Sequence, residues 1–190
     1  MEEQAHIPEP GTGASAVADE TALYLRACDG DEEALEQLIA RYRGPLTGFI
    51  CSILPSRWDA EDVMIDAFAE LAASRGRFSG RSSLKTYLFS IARHLALKRV
   101  RKGRELPLEQ ERLIGLVNAQ AARALHEDTA ALEDAMTRLR PDYRQALVLV
   151  YLENMTHQET ARIMHKTTGQ VSHLVARARE ALRRQLEEDA

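Results

Sequence analysis

The stretch THQETARIMHKTTGQVSHLVARAR, residues 156–179, decides the fold class of this chain. Thr156 and Glu159 stand three apart, the spacing at which a hydroxyl and a carboxylate each satisfy a free amide at a helix start. Thr167 and Gln170 repeat the pattern. Between them a short helix runs only to Met164, followed by a turn at His165-Lys166. His165 takes the position that wants a left-handed backbone, where His is among the better-tolerated substitutes for Gly. Ala161 is small where two helices must cross closely, and Val171 is apolar where the second must pack on the first. Two capped helices joined in this way are a helix-turn-helix, whose second helix enters the major groove of duplex DNA. A plain helical hairpin is the blander alternative.

Outward from this motif, the whole chain reads as all-α. Ala, Leu, Glu and Arg are abundant, which favours helices, and no strand alternation or fixed-period repeat is visible. Residues 1–17 are rich in Pro, Gly, Ala and Ser and read as a disordered tail. Helices are expected over Asp19–Ala27, from a cap at Asp31 through Leu35, Leu38, Tyr42, Leu46, Phe49 and Ile53, and from near Asp59 through Val63, Ala67, Phe68 and Leu71. Gly44-Pro45 is a candidate kink in the second. A Gly- and Ser-rich loop over residues 76–83 leads into a fourth helix with Leu84, Leu88, Ile91 and Leu95 on one face. Two small helical domains follow, 18–103 and 130–188, joined by an acidic flexible linker, 104–129, with a helical stretch over Leu113–Leu125.

Charge is segregated along the chain. Its 25 basic and 29 acidic residues give a net charge of -4, yet residues 74–104 contain Arg75, Arg77, Arg81, Lys85, Arg93, Lys98, Arg99, Arg101, Lys102 and Arg104 and no Asp or Glu. Phe78, Ser79, Ser82, Ser83, Tyr87 and Phe89 are interleaved with them. Like charges repel, so such a segment calls for a polyanion. Cations neutralise phosphates and aromatic rings stack on unpaired bases. A solvated face balanced elsewhere in the fold is the competing reading. At the start of the second helix of the motif, Gln170, Ser172 and His173 are placed to meet base edges. Gln170 has two roles open to it, pairing with adenine or closing the cap.

Other chemistries find no support. Cys28 and Cys51 lack ligand-like spacing and read as reduced thiols. His157, His165 and His173 fall on two helices and a turn, with no Cys or carboxylate to complete a metal set. Asp59, Glu61, Asp62 and Asp66 have no His, Lys or metal partner for acid-base work. There is no Gly-rich phosphate loop and no nucleophile elbow. A catalytic residue, a cofactor and a metal are all unexpected, and the chain reads as no enzyme. No positive leader or membrane-length apolar run is present, so a cytoplasmic location without membrane insertion is expected.

The order of parts carries a resemblance. An acidic Asp59-Ala-Glu-Asp62 helix comes first, then a basic helix from Phe78 through Ser-Leu-Lys-Thr-Tyr-Leu to Arg93 and Arg101, a variable linker, and a helix-turn-helix ending Arg177-Ala-Arg179. Over about Asp19–Leu186 this resembles the extracytoplasmic-function (ECF) group of bacterial RNA polymerase sigma factors. The resemblance implies an alternative sigma factor that binds core RNA polymerase and directs promoter recognition, melting and initiation. It implies polymerase binding to the beta-prime clamp helices through Asp59, Glu61, Asp62 and Asp66, with a second contact at the beta flap. Minus-ten DNA would fall to Phe78, Ser79, Arg81, Ser82, Ser83, Lys85, Tyr87, Arg93 and His94. Minus-thirty-five DNA would fall to Lys166, Thr168, Gln170, Ser172, His173, Arg177 and Arg179. An anti-sigma factor is the implied regulator.

The chain departs from the family pattern at Ile65 (usually Gln), Tyr87 (usually Trp), His94 through Lys98 (usually Asn-Leu-Ala-Leu-Asp) and Ser172-His173-Leu174 (commonly Lys-Ser-Arg). The last change removes two cations from the recognition helix, and leaves Leu174 free to face DNA or a protein. Two other classes stay open: a free-standing DNA-binding regulator, and an interaction protein that holds polymerase or a partner without initiating.

Overall fold

The structure, a computed structural model, describes residues 12–75, 77–103 and 127–188. Among them every regular element is helical: α1 (Thr12–Cys28), α2 (Glu32–Cys51), α3 (Arg57–Ala73), α4 (Leu84–Gly103), α5 (Glu127–Arg138), α6 (Pro141–Leu147), α7 (His157–Met164) and α8 (Thr168–Glu188). Between α6 and α7 the chain passes through a π-helical turn, Val148–Leu152.

The first four helices form a bundle whose boundaries follow from local chemistry. Gly30, at φ +90°, makes the turn between α1 and α2 in a backbone region that L side chains avoid. Asp31 caps α2 by accepting from the Ala34 amide at 3.1 Å, and Ser56 caps α3 by accepting from Asp59 at 3.3 Å. Leu38, Tyr42, Leu46, Phe49 and Ile50 bury one stripe of α2, and Ala60, Val63, Met64, Ala67, Phe68 and Leu71 one stripe of α3. These meet Leu84, Leu88, Phe89, Ile91, Ala92 and Ala96 of α4. Phe49 and Phe89 lie 5.3 Å apart, ring to ring.

Three boundaries differ from the sequence reading. Helix α1 begins at Thr12 rather than near Asp19, so it takes in part of the stretch read as tail. Alanines at 14, 16 and 18 carry enough helix propensity to extend it. Helix α2 stops at Cys51, before Ile53, because the Ser52 hydroxyl donates to the Phe49 carbonyl at 2.6 Å and Pro55 follows. Helix α5 starts at Glu127, inside the expected linker, with acidic residues at its positive end. The helix expected over Leu113–Leu125 lies outside the described residues.

In the second half, α6 and α5 pack on α8, burying Leu139, Leu147 and Ala178. The rest of that half does not close on itself. Leu149, Met155, Ala161, Ile163 and Val171 belong to one buried cluster with the core of the α1–α4 bundle, and α7 packs directly on α4. The two helical halves therefore share a core.

Candidate polymerase and nucleic-acid surfaces

Helix α3 turns its acidic side outward. Asp62 and Asp66 are exposed and Asp59 and Glu61 half-buried. Arg99, near the end of α4, donates to Asp59 at 3.0 Å and to Asp62 at 3.4 Å. The hydrogen bond that Arg99 donates to Asp59 holds its guanidinium above its ordinary pKa. Glu61 pairs with Arg57 at 3.3 Å. Beside these carboxylates stand two large apolar groups: Ile65, the departure from the family's usual Gln, is 61% exposed, and Trp58, which the sequence reading did not place in the site, is 73% exposed. They lie seven apart, two helical turns, off the buried stripe. That offset was the available signal. Trp58 and Ile65 turn a purely acidic patch into an acidic rim around apolar anchors, a composition suited to protein contact.

The basic face on α4 and the loop before it is only partly open. Ser79, Arg81 and His94 are exposed, and Ser82 half-buried. Phe78 and Tyr87 are half-buried in an aromatic group: Phe78 meets Tyr24 edge to face at 5.3 Å and Tyr87 at 5.3 Å. Both rings thus serve packing as well as the surface. Lys85 and Arg93 point into the second half, where Lys85 meets Glu153 at 2.9 Å and Arg93 donates to Gln145 at 2.9 Å. Burial lowers the pKa of Arg93.

The helix-turn-helix is built as its residues predict. The Thr156 hydroxyl accepts from the Glu159 amide at 3.2 Å, and Glu159 accepts from the Thr156 amide at 3.0 Å. His165 occupies the left-handed region at φ 53°, ψ 48°. Thr167 and Gln170 complete the second reciprocal pair, at 2.8 and 3.2 Å. The Gln170 side-chain carbonyl is therefore engaged by the Thr167 amide. A bidentate pair with adenine needs that oxygen, so Gln170 has its amide nitrogen to offer first. Lys166, Thr168, Gln170, Ser172, His173, Arg177 and Arg179 are all exposed; on α8 the helical spacing sets Gln170, His173 and Arg177 on one face and Thr168, Ser172 and Arg179 on another. Leu174 packs against the core, so it is a packing residue before it is a surface one. It also lines an open groove of about 350 Å³ with Arg140, Tyr143, Gln170, His173 and Arg177. Arg140 lies over the Tyr143 ring at 4.9 Å and brings to this rim a cation that the sequence reading missed.

Residues 38–105, covering most of the bundle, match the family described as Sigma-70 region 2, and residues 129–182, covering the helix-turn-helix half, match Sigma-70, region 4. The chain belongs to the sigma-70 family. Within it, the chain is 33% identical to the probable RNA polymerase sigma-C factor of Mycobacterium bovis, over 93% of this chain and 97% of that one. It is 29% identical to the ECF RNA polymerase sigma-E factor of Escherichia coli, over 84% and 90%. Its fold is shared with CnrH, solved in complex with the cytosolic domain of CnrY (TM-score 0.67, 23% identity, 91% of this chain and 99% of that one). It is shared also with RpoE of Bartonella quintana, solved with the anti-sigma factor NepR (TM-score 0.64, 24% identity, 82% and 98%). This sigma factor is thus of the ECF group and serves promoter recognition in transcription initiation. Among the described residues no cluster fit to hold a metal ion is present, and no helix is long and apolar enough to cross a membrane.

Proposed function

We propose that the sigma factor divides its work by surface: α3 docks on the polymerase clamp helices, the loop and α4 hold the melted minus-ten strand, and α8 reads the minus-thirty-five duplex. The division follows two units, 18–103 and 130–188, with the segment between them as tether. The observation that carries it is the second reciprocal cap, which leaves Ser172, His173, Arg177 and Arg179 exposed together on the helix that a groove would receive. Asp59, Glu61, Asp62 and Asp66 form the polymerase contact, with Trp58 and Ile65 as its apolar anchors. Phe78, Ser79, Arg81, Ser82, Ser83, Lys85, Tyr87, Arg93 and His94 serve the strand. Opening DNA costs about 1.4 kcal/mol per base step, and stacking returns about 1–3 kcal/mol per captured base. A domain of this size therefore holds a few melted bases once polymerase supplies the remaining contacts. The chain acts with polymerase in the cytoplasm, is no enzyme, and answers to an anti-sigma protein of the kind that NepR is for its own partner.

Run-off transcription with core polymerase on genomic fragments is the test. Defined transcripts are expected that disappear when Glu61 and Asp62 are both replaced by Lys, with core binding lost in a pull-down. DNA binding by the free chain without any transcript would overturn the proposal in favour of a free-standing regulator. Core binding without transcripts would favour an interaction protein.

A further inference from the structure

The loop assigned to the melted strand leaves α3 through a buried residue, Ser74, which is 1% exposed. Its amide and hydroxyl both donate to the Leu71 carbonyl, at 3.1 and 2.7 Å, and close the helix. Its own carbonyl accepts twice, from the Arg77 amide at 2.9 Å and from the Tyr24 hydroxyl at 2.9 Å. Tyr24 belongs to α1, 50 positions back along the chain, and is itself 1% exposed. Burial raises its phenol pKa, so the hydroxyl keeps its proton and stays a donor.

The same end of α1 makes further contacts around the root of the loop. The Tyr24 ring meets Phe78 edge to face at 5.3 Å, and Phe78 also packs on Tyr87 of α4 at 5.3 Å, both within the range of favourable aromatic pairs. The Cys28 thiol reaches the Leu71 carbonyl at 3.8 Å, and Asp29 pairs with Arg75. Beyond Phe78 the chain turns back at Gly80, in the left-handed region at φ +68°, with Ser79 and Arg81 exposed on either side. The far end is tied as well. Arg162 donates to the Arg81 carbonyl at 2.9 Å, and the Ser83 and Thr86 hydroxyls lie 3.3 and 3.4 Å from one oxygen of Glu159.

A side chain as buried as Tyr24 touches no ligand; what it can do is remove conformations. A loop already fixed at its root loses less freedom when it takes hold of a base, and the freedom not lost appears as affinity. From this arrangement we infer that Tyr24 is a positioning residue for strand capture: from α1 it fixes the root of the loop at Ser74 and Phe78, and so aims Ser79 and Arg81 at the captured base. The inference rests on the proposed reading of the loop as a strand-binding segment, and goes beyond it in making α1 a part of the minus-ten site. The Ser74 carbonyl keeps the Arg77 amide as its second donor, so loss of the Tyr24 hydroxyl loosens the root without orphaning a buried acceptor.

The test uses the full chain, free and with core polymerase. Tyr24→Phe keeps the ring on Phe78 and removes only the hydroxyl. In the free chain, hydrogen exchange at the amides of residues 77–83 should quicken about three- to tenfold, the effect of one hydrogen bond, with the amides of α6 to α8 unchanged. As holoenzyme, the variant should bind a template with a pre-opened minus-ten bubble about three- to tenfold more weakly than wild type. Its affinity for core polymerase and for minus-thirty-five duplex should stay at the wild-type value. On an Arg81→Ala background the same substitution should cost less than about twofold, because the loop then has less to aim; a general loss of stability would cost the same on both backgrounds and overturn the positioning role. Unchanged exchange at residues 77–83 would overturn it as well. Faster exchange with unchanged bubble affinity, where Arg81→Ala does weaken binding, would overturn it while leaving the loop as a strand-binding segment. If neither Tyr24→Phe nor Arg81→Ala alters bubble affinity, the strand-binding reading of the loop falls and the positioning role falls with it.

Discussion

The two surfaces proposed to meet nucleic acid are built from similar residues and differ in what surrounds them. On α8, Ser172, His173, Arg177 and Arg179 stand in solvent. On α4, Lys85 and Arg93 are half-buried and hold partners across the molecule. On the proposed assignments a duplex would meet exposed groups on α8, whereas a single strand would meet Lys85 and Arg93 already engaged by Glu153 and Gln145. The difference teaches that availability belongs to tertiary packing rather than to composition. The more basic segment of the chain is the one partly covered.

The comparison breaks most severely if the packing between the halves is emptied. Ile163 is fully buried on α7, the helix that lies against both α4 and α8. Ile163→Ala should cost about 2–5 kcal/mol of stability, measured by denaturant unfolding. A loss well below that range would mean that α7 contributes little to the core and that the covering of α4 is superficial.

On the open surface, alanine at Ser172 or His173 should reorder promoter preference, with penalties of about 1–3 kcal/mol at the base read. Alanine at Arg177 should instead weaken all promoters alike and lower the salt slope of binding by about 0.9. Binding titrations of the holoenzyme across promoter variants and salt concentrations separate the two outcomes. An unchanged ranking after both the Ser172 and the His173 replacement would show that α8 attaches without reading.

The smallest expected effect concerns Glu159. Its folded-state pKa is depressed below the ordinary 4.5 by hydrogen bonding that outweighs burial, so its stabilisation is present above that ordinary value and is lost as pH falls through the folded one. The melting temperature of the wild type should drop more steeply below about pH 4.5 than that of Glu159→Gln. At neutral pH the variant should be less stable by about 1 kcal/mol, as for a weakened cap. Parallel pH profiles would remove Glu159 from the contact between the halves.

What the sequence made legible was local. Two capping pairs, the left-handed His165, the buried Ala161 and Val171 and the cap at Asp31 each depend on residues a few positions apart, and each is found where spacing puts it. The apolar stripes of α2, α3 and α4 were readable for the same reason. The pairing of Lys85 with Glu153 and of Arg93 with Gln145 was not, because no periodicity links residues on opposite sides of the linker. Phe78 and Tyr87 illustrate the same limit. Aromatic rings in a basic segment suit stacked bases, but Tyr24 on α1 takes up one face of that choice. Trp58 and Ile65 fell between the two kinds of signal, since an apolar residue outside the buried stripe is visible in the pattern but has no local partner to explain it.

Trp58 is also the single tryptophan of the chain, and it stands largely in solvent beside the carboxylates of α3. The molecule therefore carries its own optical reporter at one address. Indole emission in the free protein should lie at the long wavelengths of a hydrated ring, and it should move to shorter wavelengths when α3 is covered by a partner. Because no second indole contributes, that colour change reads occupancy of this surface alone, whatever the two halves of the chain are doing elsewhere.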